Sequence, residues 1–166
     1  NPQPEITYED AIEARPDVLM STGRTDYPNQ INNVLGFPYI FRGALDTAAR
    51  AINEEMKMAA VRAIAELARR PVPDIVNRAY QVRHLTFGPG YFIPKPVDPR
   101  LITEVSMAVA KAAMDSGVAR TPITDWKAYR QRLRELMGQE TKFTQNLFET
   151  VRLHPKRGKI ECRIQI

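Results

Sequence analysis

Apolar positions recur along this chain at helical spacing in four places, with proline or glycine punctuation between them. From Asn53 to Arg70, Met56, Ala60, Ile64 and Leu67 form one stripe while Glu54, Lys57 and Arg62 lie elsewhere, so the spacing predicts an amphipathic helix. Pro71 and Pro73 end it, and a shorter helix is predicted over Asp74–Tyr80 with Asp74 as cap. A second long helix is predicted over Asp98–Ser116 on Leu101, Val105, Val109, Ala112 and Ala113, stopped by Gly117. A last one opens at Thr124 or Asp125 and runs through Met137 on Trp126, Tyr129, Leu133 and Leu136, with Gly138 after it. Near the start, Thr7 can cap a short acidic helix to Ala14.

A different pattern precedes these. Pro16-Asp17-Val18-Leu19-Met20 is a short apolar run behind a proline and predicts a buried strand over Val18–Met20. A polar loop follows, with asparagines at 29, 32 and 33, and then a helix with Pro38 at its first position and Ile40, Phe41, Ala44, Leu45 and Ala48 at helical spacing. A polar loop at the carboxyl end of a strand suits an oxygen-rich ligand. An asparagine there offers one acceptor and two donors without charge. Asn32 and Asn33 also fit a cap and a turn, and their spacing leaves both readings open. Arg24 and Asp26 can pair with each other, or Arg24 can face a substrate carboxylate or cofactor phosphate.

The residue string itself goes further. Thr22-Gly23-Arg24-Thr25-Asp26-Tyr27-Pro28-Asn29-Gln30-Ile31-Asn32-Asn33-Val34-Leu35, followed by Phe37-Pro38-Tyr39-Ile40-Phe41-Arg42-Gly43-Ala44-Leu45-Asp46, resembles the bacterial malic enzymes, especially the long form fused to a phosphotransacetylase-like domain. The resemblance continues through Ala51–Lys57, Ala59–Ala65, Phe87-Gly88-Pro89 and Ile93–Ile102, and covers residues 1–137. It implies an α/β fold: a helix-rich, partial Rossmann-like cofactor domain with few strands, residues 1–137 being its carboxyl-side part and 138–166 a linker and basic tail.

The same resemblance implies oxidative decarboxylation of malate to pyruvate and carbon dioxide with NAD or NADP. It implies that Asn33 faces malate beside the nicotinamide, that Asn32 supports it by capping the following helix, and that Asn1, in an Asn-Pro pair, closes the site toward substrate and nicotinamide ribose. The family's acid and base, its pyrophosphate-binding turn and the carboxylates that hold a divalent metal, Mg or Mn, belong to sequence absent from this chain. Gly88-Pro89-Gly90 is no substitute for the turn, because proline removes a donor and no helix opens behind it. No catalytic and no metal residue is therefore assigned. The expectation is a fragment, inactive alone, that needs roughly 250 or more further residues upstream.

Composition changes this picture little. Hydrophobic content of 43% and charged content of 26% are ordinary for a globular protein. A net charge of +5 raises the possibility of an anionic partner, and a non-enzymatic, helix-rich interaction module for such a partner is the alternative function. The charge is spread over helix faces, as at Arg62, Arg69 and Arg70, without a nucleic-acid motif, so nucleic acid is not expected. No apolar run approaches the ~20 residues that span a bilayer, and a single cysteine, Cys162, fits a reducing compartment. A soluble cytoplasmic protein, free of membrane and homo-oligomeric when whole, is expected. His84 reads as structural or solvated, and nothing near Lys95 is expected to lower its pKa.

Overall fold

The computed structural model describes residues 4–138, which fall in two compact units, one ending at Trp126 and one beginning at Lys127. In the first unit the helices are α1 (Tyr8–Ala14), α2 (Phe37–Asp46), α3 (Glu54–Arg69), α4 (Asp74–Ala79) and α5 (Leu101–Asp115), with a single 3-10 turn at Asn33–Leu35. In the second, the described residues belong to α6 (126–138), along which Tyr129 and Leu133 are buried one turn apart. Asn1 and the tail from 139 onward lie outside the described residues.

The core is the packing of α2 and α3 against α5. Met56, Ala60 and Leu67 of α3 meet Leu101, Val105, Val109 and Ala113 of α5, with Leu35 and Ala44 completing the cluster. Two polar ties fix α3 and α5 as antiparallel. Asn53 caps α3 by accepting from the Met56 N–H at 3.1 Å and also donates to Ser116 Oγ, at the far end of α5, at 2.9 Å. At the other end Arg70 reaches Glu104 at 2.8 Å. α2 approaches α5 so closely that a Cβ on Gly43 would stand 2.7 Å from the Ser106 carbonyl and 2.8 Å from Val109 Cβ. Glycine is needed there for space.

The helix-rich expectation with few strands holds. Among the described residues β-pairing is confined to two isolated bridges, Thr22 with Gln30 in parallel and Gly88 with Tyr91 in antiparallel. The strand expected at Val18–Met20 is not formed. These residues belong to no strand or helix, Val18 N–H donates back to Arg15 O at 3.0 Å, and Leu19 is 65% exposed. Three helix starts also shift. Pro73, not Asp74, is the N-cap of α4; Pro38 is the second residue of α2; and α5 begins at Leu101 because Asp98 and Arg100 form a tight turn before it. In that turn the buried Asp98 carboxylate accepts from the Arg100 N–H and guanidinium, and Arg100 also donates to Pro71 O at 2.7 Å. Gly117 follows α5 with φ +73, the left-handed stop that the sequence predicts.

Candidate functional site

The loop between α1 and α2 is held by hydrogen bonds of its side chains, to backbone and to one another, together with a backbone closure. Ile31 N–H donates to Thr22 O at 2.7 Å, closing it at the neck. Within it, Thr22 Oγ1 accepts from Arg24 N–H at 3.2 Å, and Gln30 donates to Gly23 O at 3.3 Å. Arg24 grips Asp26 through two hydrogen bonds and lies 5.0 Å from the centre of the Tyr27 ring. That is the local-pair alternative for Arg24. Tyr27 stacks on Tyr8 of α1 at 5.6 Å and donates to Glu9 at 3.2 Å, so α1 braces the loop from one side.

Asn29 braces it from the other. Its side chain is buried, at 1% exposure, and every polar atom on it has a partner. Nδ2 donates to Met20 O at 3.2 Å and to Pro89 O at 2.7 Å, while Oδ1 accepts from Phe92 N–H at 2.8 Å. One carboxamide therefore joins both sides of the loop to a turn some sixty residues away. Its backbone sits at φ 54, in the left-handed region that asparagine tolerates better than most residues.

Asn32 and Asn33 come next, and they differ. Asn32 Oδ1 accepts from Val34 N–H at 3.0 Å and caps the 3-10 turn, not α2 as expected, whose N-cap Gly36 makes no side-chain bond. Asn33 is exposed. It lies on the rim of a cavity of about 760 Å³ whose walls include Ile31, Phe37, Ile40, Ile64, Phe92 and Ile93. Asn32 and Asn33 supply the polar groups in this otherwise apolar lining, which contains no acid, base or charged residue.

The remaining candidates lie elsewhere. His84 is exposed in the stretch after α4. Lys95 corrects the expectation that nothing lowers its pKa: it is half-buried with Nζ 4.7 Å from the centre of the Tyr80 ring, and burial pushes its pKa down. Tyr91 is buried in a small cluster with Val72 and Val76, its hydroxyl lacking a partner among the described residues. Burial, aided by Asp98 and opposed by Arg100, pushes the phenol up to about 12. Gly88-Pro89-Gly90 forms a tight turn closed by Gly88 and Tyr91, not a phosphate cradle. Among the described residues no group of three or more His, Cys, Asp or Glu could hold a metal ion, so these residues do not fit the family's divalent cation.

The likeness to known proteins is extensive. The chain is 58% identical over 157 residues to an NADP-dependent malic enzyme of Salmonella typhimurium, and 61% identical over 133 residues to an NAD-dependent malic enzyme of Rhizobium meliloti. These matches take in 95% and 80% of this chain. The crystal structure of a malic enzyme from Pyrococcus horikoshii superposes with a TM-score of 0.67 at 38% identity, covering 91% of this chain and 30% of that one. The chain is homologous to a segment of the malic enzymes. It spans between 17% and 29% of the length of the curated malic enzymes it matches. No protein-family model matches it. Relatives named for NAD and for NADP both align with this malic-enzyme segment, so the segment is common to the two cofactor preferences.

Proposed function

We propose that this chain forms the carboxyl-side part of the cofactor-binding domain of a malic enzyme and supplies one neutral wall of the site where malate lies beside the nicotinamide. In the complete enzyme malate is oxidised by NAD or NADP, the keto acid loses carbon dioxide, and the resulting enolate is protonated to pyruvate. When bound, NAD(P) would supply the hydride acceptor beside Asn33, and a divalent cation, Mg or Mn, held by residues outside this chain, would supply a Lewis acid.

The observation that carries this reading is the division of labour in Asn32-Asn33. The Asn32 carboxamide is engaged in capping, whereas Asn33 stands exposed on the cavity rim. A carboxamide so placed can donate to a malate carboxylate and accept from the malate hydroxyl, holding the carbinol carbon toward the nicotinamide without adding a charge. Asn1, outside the described residues, closes the same site in this reading. The acid, base and metal carboxylates fall to other parts of the whole protein, and the isolated chain does not turn over malate. A cytoplasmic setting and a homo-oligomeric assembly accompany this proposal. So does the fused long form: the match fills 21% of the Salmonella relative but 29% of a Halomonas elongata malic enzyme over fewer residues, which leaves the former more sequence outside the match for a further domain.

The test is a graft in which this chain replaces the matched segment of the Salmonella enzyme. Losing a hydrogen bond to a charged ligand costs about 1.5–3 kcal/mol, so Asn33→Ala should lower malate turnover about ten- to a hundredfold with nearly unchanged thermal stability. Asn32→Ala should instead cost stability, about 1 kcal/mol, through the cap. Full activity in Asn33→Ala would remove it from the site, and equal kinetic losses from both changes would abolish the division between contact and support.

A further inference from the structure

We infer that Asn29 is a positioning residue of this site, holding in register two of the chain segments that line it, the one that carries Asn33 and the one that carries Phe92. The inference rests on the proposed role of Asn33 and extends it to a residue that does not itself line the cavity.

Three separate stretches line the cavity: residues 31–40, Val61, Ile64 and Ala65 of α3, and Phe92 with Ile93; Asn29 bears on the first and the last. These two are joined through the Asn29 side chain. Its Nδ2 holds Met20 O, at the near end of the loop, together with Pro89 O; its Oδ1 holds the N–H of Phe92, a wall residue. On the loop side the backbone needs only two more steps from Asn29 to reach Ile31, which is itself pinned to Thr22 O at 2.7 Å, and then the Asn32 cap that orients Asn33. Both carbonyls require a donor and the Phe92 N–H requires an acceptor, so the group that fits must carry both functions on one short planar head. Asparagine does, and it also accepts the φ of 54 at this position. A carboxylate would face two carbonyl oxygens, and an apolar residue would leave three backbone groups without these partners.

Small displacements of a substrate-contacting group lower rate steeply, because the reacting atoms must lie within a narrow range of approach. Release of the Asn29 clamp should therefore register in catalysis through Asn33. The experiment is a double-mutant cycle in the Salmonella graft. Asn29→Gly tolerates the left-handed backbone and so isolates the loss of the side-chain bonds; Asn29→Asp, which keeps the acceptor for Phe92 but loses both donations, serves as a second variant should the glycine form not fold. Each is expected to lower kcat/KM for malate by about tenfold or more, with the KM for NADP moved far less. In an Asn33→Ala background the same changes should add little further loss, because the group being positioned is already gone.

Unchanged malate kinetics in folded Asn29 variants would overturn the inference. So would a loss that adds in full to that of Asn33→Ala, which would make Asn29 independent of the contact it is said to position. A graft that is inactive with Asn29 and Asn33 intact would instead count against the proposed function, and an active graft indifferent to Asn33→Ala would remove the contact on which both rest.

Discussion

The three-helix core and the loop of residues 20–33 are held by opposite means. Between α2, α3 and α5 the contacts are apolar and close-packed, with Leu67, Leu101, Val105 and Val109 fully buried. In the loop the buried side chains are polar, Thr22 and Asn29, and what they hold is backbone. The core is stabilised by the amount of surface it removes from water, and the loop by a small number of directed bonds that fix where Asn33 stands. Changes in the first should alter stability over the whole chain, whereas changes in the second should alter the site first.

The comparison is broken most readily in the core. Leu67→Ala removes a side chain at 0% exposure from the core cluster between α3 and α5 and should cost about 2–5 kcal/mol in chemical denaturation. A cost below about 1 kcal/mol would mean that the helices do not pack as described. Asn53→Ala should be smaller, about 1–2 kcal/mol, since it loses one helix cap and one bond to Ser116. If Asn53→Ala and Ser116→Ala are additive in unfolding measurements, the tie between α3 and α5 contributes nothing of its own.

The smallest effect concerns the satellite cluster around Tyr91. The phenol is neutral in the fold up to about 12 but ionises near 10.0 in the unfolded chain. The fold therefore binds the proton more tightly, and the stability this contributes, fully present below 10.0, is lost as pH rises from 10.0 toward about 12. Tyr91→Phe removes that titration and leaves no buried hydroxyl to satisfy, so the variant should lose less stability over this alkaline range and be near neutral at pH 7. Parallel pH profiles for the two proteins would show that the hydroxyl is not buried in solution.

What could be read from the residues follows the same divide. α3 and α5 were legible because Met56, Ala60, Leu67, Leu101, Val105 and Val109 repeat at helical spacing, and Gly117 because a left-handed stop favours glycine. The Asn32 cap was legible as one of two local options. Val18–Met20 misled because a short apolar run carries no information on whether another strand lies beside it. Asp98 looked like a helix start, yet its carboxylate is held in the preceding turn by Arg100. The lowered pKa of Lys95 is not legible in the sequence because it comes from burial, which only the fold produces. The role of Asn29 is the least legible in the sequence. Three asparagines stood in one loop, and only long-range partners at Pro89 and Phe92 distinguish the clamp from the cap and the contact.

The most direct test of the central claim is malate-dependent reduction of NADP, measured with Mg or Mn present, by the isolated chain and by the Salmonella graft side by side. The expected result is no turnover by the chain alone and sustained turnover by the graft, since the segment provides a wall of the site and the rest of the enzyme provides the acid, base and metal ligands. Metal-dependent turnover by the isolated chain, or a folded graft with none, would contradict it.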